Sequence, residues 1–525
     1  MNKYIGLSIV AVGLGLTSCG DFLDKMPDSR TDITNAEQVN LLLTSAYAQS
    51  NSIVMAEMSS DNAMDNGSTF TVEDKVQEEA YLWQDITSED DDAPKGLWES
   101  CYMAVATANE ALASIEKLGN TTDLQGQRGE ALVCRAWAMF QLANIFCLAY
   151  NPTTANSDLG LPYPTEPETT LVVEHERGTV AELYEKIEKD IEAGIPLIDD
   201  NLYTQPKYHF TQAAAHAFAA RFYLYYQKWD KVVSHASAAL GSAPERMMRD
   251  WAYIAGEMAS NYESRCNQYI SSAEPANLLI ETAASSMVYW LGPYNLGRRY
   301  GLNHSAIARK ESYRADGLWG SYGNLWLANS CWGYNEKICN SKYLGYFEYT
   351  DKVNGVGYRR NAIVRLCADE TVLCRAEAYA MMHDYEKSVA DINLWMEYNT
   401  KDGMQVNDSI VVATYNNMNY MEDNDGQPIP ASAVYGTPKK RLHPLGIVLT
   451  DSVQENFIHC ILHMRRAETA QEGLRWMDIK RWGIEIAHNR AYKTPDLLLA
   501  DDPRRAIQLP QDVIAAGMTP NPRNN

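Results

Sequence analysis

The sequence predicts a mainly all-α protein in which paired helices carry an irregular lobe rich in aromatic residues. Between residues 98 and 242, and again between 360 and 490, apolar residues recur mostly at helical spacing. Residues 251–358 lack that sustained periodicity and contain 19 Phe, Trp and Tyr in 108 positions, about 18% against 10% for the whole chain. A pattern in residues 219–233 returns in residues 375–389. With 525 residues, 46% of them apolar, the chain can bury a large core.

The first 18 residues have the pattern of a secretory signal peptide. One basic residue, Lys3, precedes an uncharged and mostly apolar run from Tyr4 to Leu16, which is too short to span a bilayer. The run ends in Leu-Thr-Ser-Cys, which resembles a bacterial lipobox, so we expect cleavage before Cys19 and lipidation of that residue. The alternative is an ordinary signal peptide with an incidental cysteine. Residues 19–34 are polar and contain proline, and are interpreted as the lipid tether.

Charge and hydropathy restrict the partners. The formal net charge of -23 argues against nucleic acid and against adsorption to anionic headgroups. The apolar stretch 131–150 contains Arg135, which would cost about 3 kcal/mol near mid-membrane, so we interpret it as a buried helix. Cys331 and Cys339 are close enough in sequence to pair, although nothing requires it.

Taken in order, the elements are mostly helices separated by loops. A capping box at Thr179 to Glu182 marks one helix start. Residues 50–97 and 400–445 are interpreted as irregular, and the tail from Thr494 as extended. The other helices are predicted at Asn35 to Gln49, Trp98 to Leu118, Gly129 to Ala149, Thr211 to Tyr226 and Asp451 to His488.

The two copies of the repeat have the same layout. Each has an aromatic within a helix, Tyr223 or Tyr379, and a second one six residues later where the next helix should start, Trp229 or Tyr385. This layout resembles tetratricopeptide helical hairpins, in which small residues allow close packing and aromatics fill the corner.

Residues 465–483 read RRAETAQEGLRWMDIKRWG, which is similar to the C-terminal signature of the SusD/RagB family of outer-membrane nutrient-binding lipoproteins. Other blocks agree across nearly the whole mature chain, with departures at Met464, Thr469 and Gln471. These blocks are CGDFLDKMP, LWESCYMAVATANEAL, GEALVCRAWAMFQLANIF, IVRLCADETVLCRAEAYA and RAIQLPQDVIAAGMTPNP.

The resemblance implies one globular body over residues 35–525. Its helical scaffold would occupy about 98–242 and 360–490, with ligand-facing insertions at about 50–97, 251–358 and 400–445. It further implies a surface-exposed, lipid-anchored outer-membrane protein. Such a protein would capture an oligosaccharide or polysaccharide and deliver it to a SusC-like TonB-dependent barrel.

Sugar rings have apolar faces and polar edges, so a site for them needs flat aromatic platforms beside hydrogen-bonding groups. The aromatic lobe supplies both, and the loop from Asp61 to Asn66 is similar in position to an early ligand-contacting loop of the family. We expect at least one of Trp290 and Trp319 to be exposed when no ligand is bound. The predicted ligand-binding residues are Trp290, Trp319, Tyr289, Tyr294, Arg298, Tyr300, Tyr322, Asn324, Trp326, Asp61, Asn66 and Trp83.

Other functions remain open at this stage. The same architecture could bind peptides or glycopeptides, or serve as a helical-repeat scaffold without a small ligand. An enzyme is disfavoured because no nucleophile elbow, Walker loop or dinucleotide loop occurs in the mature chain, so no catalytic residue or cofactor is assigned. His459 and His463 share a helix face but lack a third ligand, so no metal site is assigned either. The charges of 465–483 are expected to form ion pairs between helices, with Trp476 and Trp482 in the core.

Overall fold

A computed structural model describes residues 33–72, 74–168, 175–256, 261–293, 298–334, 337–420, 436–490 and 493–523. The predicted signal peptide, Cys19, most of the tether and Tyr294 lie outside these residues. Where they are described, the helices are α1 (Ala36–Leu43), α2 (Ile53–Ser59), α3 (Lys75–Tyr81), α4 (Pro94–Lys117), α5 (Gln125–Phe146), α6 (Val180–Gly194), α7 (Gln212–Tyr225), α8 (Trp229–Leu240), α9 (Trp251–Gly256), α10 (Tyr262–Tyr269), α11 (Met287–Trp290), α12 (Arg309–Glu311), α13 (Trp326–Asn329), α14 (Ala368–Met381), α15 (Tyr385–Asn399), α16 (Asp408–Asn416), α17 (Ser452–Glu468), α18 (Leu474–Arg481) and α19 (Gln511–Ala515).

Short strands accompany the helices and form small antiparallel sheets. The largest sheet has the strand order β2-β7-β6, and the other pairs are β1 with β3, β4 with β5, and β8 with β9. The strands are β1 (Met64–Asp65), β2 (Asn277–Ala284), β3 (Tyr300–Gly301), β4 (Trp332–Tyr334), β5 (Lys337–Cys339), β6 (Gly345–Asp351), β7 (Val356–Cys367), β8 (Ile486–Arg490) and β9 (Lys493–Leu498).

The mainly helical fold class is confirmed, and its scaffold consists of packed helix pairs. Helix α5 packs between α4 and α6, α7 pairs with α8, and α14 pairs with α15 and also contacts α8 and α17. The repeated aromatics Trp229 and Tyr385 are the first residues of α8 and α15, as the repeat predicts. Thr179 and Glu182 form the expected capping box at the start of α6.

Helix α5 is buried on nearly every face, which agrees with its interpretation as a core helix. Its Arg135 makes a bidentate ion pair with Asp190 of α6, with N to O distances of 2.7 and 2.8 Å. Pairing of this kind lets a charge lie within the core. Cys331 and Cys339 are not joined by a disulfide in the structure.

Buried ion pairs join the C-terminal helices to the scaffold, as the sequence predicts for 465–483. Arg465 reaches Glu370 at 3.1 Å and Asp478 at 3.1 Å, and Arg481 reaches Glu377 at 2.8 Å. Trp476 and Trp482 are fully buried, which confirms them as core residues.

Several predicted boundaries are wrong. The helix expected from Asn35 ends at Leu43, because the chain turns and lets the Tyr47 hydroxyl donate to Glu130 at 2.6 Å. Residues 50–97 contain α2 and α3 rather than only loop. Helix α2 is buried on every face, so its sequence has no amphipathic pattern to reveal it.

The helix predicted from Asp451 to His488 is interrupted. Helix α17 ends at Glu468, and α18 starts after Gly473, which has a φ of +79° that favours glycine. The segment from Ile486 then forms β8 instead of helix. The irregular stretches 251–358 and 400–445 also contain regular elements, notably β2, β6 and α16.

Candidate functional site

A β-hairpin made of β6 and the first part of β7 lies above the short helix α11. Gly345 allows this close approach, because a Cβ at that position would lie 2.7 Å from a methyl carbon of Val288 in α11. The Arg359 backbone carbonyl accepts a hydrogen bond from the N–H of Ser285 at 3.1 Å, which fixes β7 beside the start of α11. The guanidinium carbon of Arg359 then lies 4.6 Å from the centroid of the Tyr289 ring.

One face of the hairpin presents aromatic rings to solvent. Phe347 and Arg359 are directly paired across the strands, so their side chains lie on the same face, as does that of Tyr349 two residues along. The rings of Phe347 and Tyr349 meet edge to face with their centroids 4.9 Å apart. Their exposed fractions are 41% and 52%. We call the surface formed by Tyr289, Phe347, Tyr349 and Arg359 the hairpin face.

The opposite side of the hairpin is also exposed, but it has a different composition. It carries Tyr346 and Tyr358, with Glu348 and Arg360 between them as an ion pair. A strand that covers a core alternates apolar and polar residues, whereas β6 has aromatics on both sides and is exposed along its length. Burial therefore does not account for these rings.

The early loop meets the lobe near Trp290. Strand β1 pairs with β3, and the Asn66 side chain donates to the Arg299 carbonyl at 3.1 Å. Asn303 donates to the Asn66 side-chain oxygen at 2.8 Å, and Asp65 accepts two bonds of 2.7 Å from the Arg299 guanidinium. Asn66 is half-buried and held firmly in place.

Two cations lie close together where loop and lobe meet. The Lys337 ammonium lies 3.9 Å from the centroid of the Phe70 ring and donates to the backbone carbonyl of Arg298. The Arg298 guanidinium carbon in turn lies 4.8 Å from the ring centroid of Trp290. Burial, with a further contribution from the charge of Arg298, lowers the pKa of Lys337 to about 8.

A second group of predicted residues surrounds Tyr322 and Trp326, both half-buried. Arg309 lies over Tyr322 and Lys401 over Trp326, with cation to centroid distances of 5.2 Å in each case. Asn324 donates to the Trp319 carbonyl at 3.1 Å and to an Asp402 oxygen at 2.9 Å. This group presents partly covered rings beside polar side chains.

The expectation that Trp290 or Trp319 is exposed is wrong. Trp290 is 7% exposed, and Trp319 is 1% exposed and packed 4.5 Å from the His463 ring and 6.0 Å from Trp395. The Trp319 indole N–H donates to the Ala315 carbonyl at 3.1 Å. Helices distant in sequence cover this residue, which a local reading of the lobe could not reveal.

Other predicted residues are buried as well. Tyr300 is 2% and Trp83 is 6% exposed, and the Trp83 ring stacks on His488 with centroids 4.1 Å apart. Asp61 is 6% exposed and accepts bonds of 2.8 and 2.9 Å from Arg475. These side chains support the loop from within and do not present a surface to a ligand. For the other predicted residues, ligand contact stays a prediction.

Sequence reasoning missed Phe347, Tyr349 and Arg359. The signal was available in the stretch GYFEYTD, where three aromatics occupy both sides of a short strand instead of alternating with polar residues. Their exposure depends on the hairpin extending beyond β2, whose pairing with β7 ends at Arg360.

Two groups of described side chains are of the types that bind metal ions. His463 Nδ1 lies 3.0 Å from the Tyr415 hydroxyl and His459 Nε2 lies 3.5 Å from Glu455, so each histidine contacts a different group. Cys367, Asp369 and Glu468 bring ligand atoms within 4.8 Å of one another, all buried. Burial raises the pKa of Glu468 to about 8, and its Oε2 accepts a hydrogen bond of 3.0 Å from the Trp395 indole N–H.

A groove of about 770 Å³ lies elsewhere, between α1, α4 and residues 164–168. Its walls include Leu41, Leu42 and Pro164, and Tyr102 is its one aromatic residue among the lining residues described. With so few ring platforms, it suits a sugar chain less well than the hairpin face. Among the described helices, none is long and apolar enough to cross a membrane.

The matching family model and the similar solved structures name the same family. Residues 21–224 match the SusD-like family model, which is described as starch-binding associating with outer membrane. A search of curated proteins finds no match. The fold is similar to that of a SusD-like carbohydrate binding protein from Bacteroides vulgatus, with a TM-score of 0.60 and 16% identity over 92% of this chain and 97% of the other.

Two further structures have the same fold. A SusD superfamily protein from Bacteroides fragilis gives a TM-score of 0.61 at 17% identity, covering 93% of this chain and 99% of the other. One from Bacteroides thetaiotaomicron gives 0.59 at 18% identity, covering 94% and 100%.

Proposed function

We propose that this chain is a SusD-like protein and that it binds carbohydrate at the cell surface through the hairpin face. The observation that carries the proposal is the set of solvent-exposed rings of Phe347 and Tyr349 beside the guanidinium of Arg359. Exposed rings offer the apolar faces of sugars a platform, and the arginine offers donors to their hydroxyls.

One half-buried ring, that of Tyr289 under Arg359, extends this surface. A linear oligosaccharide that contacts Phe347 and Tyr349 would meet this ring as a further platform. We infer that the ligand is an oligosaccharide or polysaccharide rather than a single sugar. A single sugar would contact one ring platform and bury too little of its own surface.

Calorimetric titration against a glycan panel tests the binding, using the full chain in detergent micelles. The Phe347→Ala/Tyr349→Ala double variant should bind the strongest glycan at least ten- to a hundredfold more weakly, since one lost anchor costs about 1–3 kcal/mol. The matched control is Tyr346→Ala/Tyr358→Ala, which removes two exposed rings from the other side of the same hairpin.

The outcomes separate the candidates. Weakening by the control pair alone would move the site to the opposite side of the hairpin. Binding of peptides or glycopeptides but of no free glycan would favour the alternative ligand class for the same architecture. No binding to any panel member would contradict the proposal.

We further propose that lipidated Cys19 anchors the protein to the outer membrane and that it delivers its ligand to a SusC-like TonB-dependent barrel. The description of the matching family names association with the outer membrane, and this supports the proposed location. Cys19→Ala should move the protein from the membrane fraction to the soluble fraction in cells that lack the barrel. Co-purification of the wild-type protein with a TonB-dependent barrel tests the partnership, and its absence after mild extraction would count against it.

A further inference from the structure

One segment of the chain, residues 298–360, is basic, although the protein is strongly acidic. It contains ten Lys and Arg against five Asp and Glu, for a net charge of +5. Lys337 and Lys342 are fully buried, and Arg299 and Arg360 pair with carboxylates. Exposed cations such as Arg309 and Arg359 therefore supply the positive charge of this segment at the surface.

Two arginines in this region differ from most other cations that lie over aromatic rings. Arg481, for example, lies over Tyr225 and also reaches Glu377 at 2.8 Å. Arg359 and Arg309 each lie over a ring, and within the described chain neither has a carboxylate within 4 Å nor a side-chain hydrogen bond. In a protein with 68 acidic residues, the missing carboxylates leave these guanidiniums available to an external anion.

Stacking on an aromatic ring orients a guanidinium so that it can bind an external anion. A ring beneath the plane of the guanidinium limits its orientation and leaves the N–H donors pointing outward from its edge. That edge matches two oxygens of a carboxylate or of a sulfate, with which arginine forms paired, charge-assisted hydrogen bonds. Lys401, which lies over Trp326 and likewise has no carboxylate within 4 Å among the described residues, is a third cation of this kind.

We propose that the glycan taken by this surface is acidic, with carboxylate or sulfate groups that contact Arg359, Arg309 and their neighbours. The inference rests on the proposed carbohydrate binding and deepens it by naming the ligand class. It departs from starch, the ligand in the family description, because starch is uncharged.

The first experiment compares acidic and neutral glycans. The full chain in detergent micelles is titrated with polygalacturonate, hyaluronan, chondroitin sulfate, amylopectin, dextran and xyloglucan at 0.05 and 0.5 M NaCl. The strongest ligand should be acidic, and its affinity should fall about tenfold or more at the higher salt, because exposed charges are screened. Carboxyl-reduced and desulfated forms of that ligand then identify which anionic group is recognised.

The results distinguish this inference from the proposed function. A neutral glycan as the strongest ligand, or an affinity that does not change with salt, would overturn the inference and leave carbohydrate binding intact. Failure of every glycan to bind would overturn both.

The second experiment uses variants matched for charge. Arg359→Gln should weaken binding of the acidic ligand about ten- to a hundredfold, the value of a charge-assisted hydrogen bond, and Arg309→Gln should act in the same direction. Lys352→Gln is the control, since it removes one positive charge from the exposed end of the same hairpin without a ring contact. Unchanged melting temperatures show that the variants fold. Equal weakening by all three would indicate general electrostatic attraction, and wild-type affinity in both arginine variants would refute the assigned contacts.

Discussion

Replacing Asp61 by asparagine should destabilise the protein strongly, because Asp61 balances several buried cations. Its carboxylate accepts bonds of 2.8 and 2.9 Å from Arg475, lies 2.6 Å from the Lys440 ammonium and 3.4 Å from Arg466. The asparagine amide would bring an N–H donor toward these donors and remove the negative charge. Leaving a buried charge uncompensated costs about 3–5 kcal/mol, so the free energy of unfolding should fall by about that amount.

The pH dependence of the loss follows from the same contacts. Burial would raise the pKa of Asp61, but the charges of Arg466, Arg475 and Lys440 outweigh it and hold the pKa well below its usual value. A depressed folded-state pKa gives stability that is present above the unfolded pKa of about 3.9 and is lost as pH falls through the folded value. The difference between wild type and Asp61→Asn should therefore be constant from pH 7 to about 5 and shrink below about 4.

Urea unfolding followed by tryptophan fluorescence measures this difference at each pH. Asp384→Asn is the control, since the Asp384–Lys387 ion pair is solvent-exposed and should change the urea midpoint little. A loss below about 1 kcal/mol at pH 7, or a difference that grows as the solution is acidified, would refute the assignment of Asp61 as the counter-ion of this cluster.

Three further predictions concern other sites. Trp476→Ala should lower the free energy of unfolding by about 3–5 kcal/mol while the folded fraction keeps wild-type glycan affinity by calorimetry, because the indole is fully buried in the core. Burial raises the pKa of Asp92 to about 7, so its folded form holds a proton that the unfolded chain releases, and stability should fall as pH rises from about 4 to 7. In Asp92→Asn, whose side-chain oxygen can still accept from the Ser285 hydroxyl, melting temperature should vary less over that range, and an unaltered slope would count against the assignment. Gly357→Ala should weaken glycan binding at least tenfold, because its Cβ would lie 2.0 Å from the Glu348 carbonyl oxygen and separate the hairpin strands; wild-type affinity would show that the hairpin face is not used.

Local patterns predicted the scaffold well. The repeat placed Trp229 and Tyr385 at the starts of α8 and α15, and the capping box marked the start of α6, because each signal lies within one turn of the helix it describes. Trp476 was identified as a core residue from its position in α18, whose charges form ion pairs with other helices.

The site was harder to predict because exposure in the lobe depends on distant segments. Trp319 is covered by Trp395 and His463, which come 76 and 144 residues later in the chain. Phe347 remains exposed because no described element covers that face of the hairpin beyond the end of β2. Composition identified a lobe rich in rings, but only the tertiary arrangement separates the buried indoles from the exposed rings.

The pair between Asp61 and Arg475 spans 414 positions, which has a consequence for biogenesis. Contacts of such separation form late, because the intervening chain must first be ordered. The early loop with Asn66 can therefore reach its final position only after the segment carrying Arg475 has been synthesised. A chain truncated before α18 would lack this support for the loop even though every residue of the hairpin face is present.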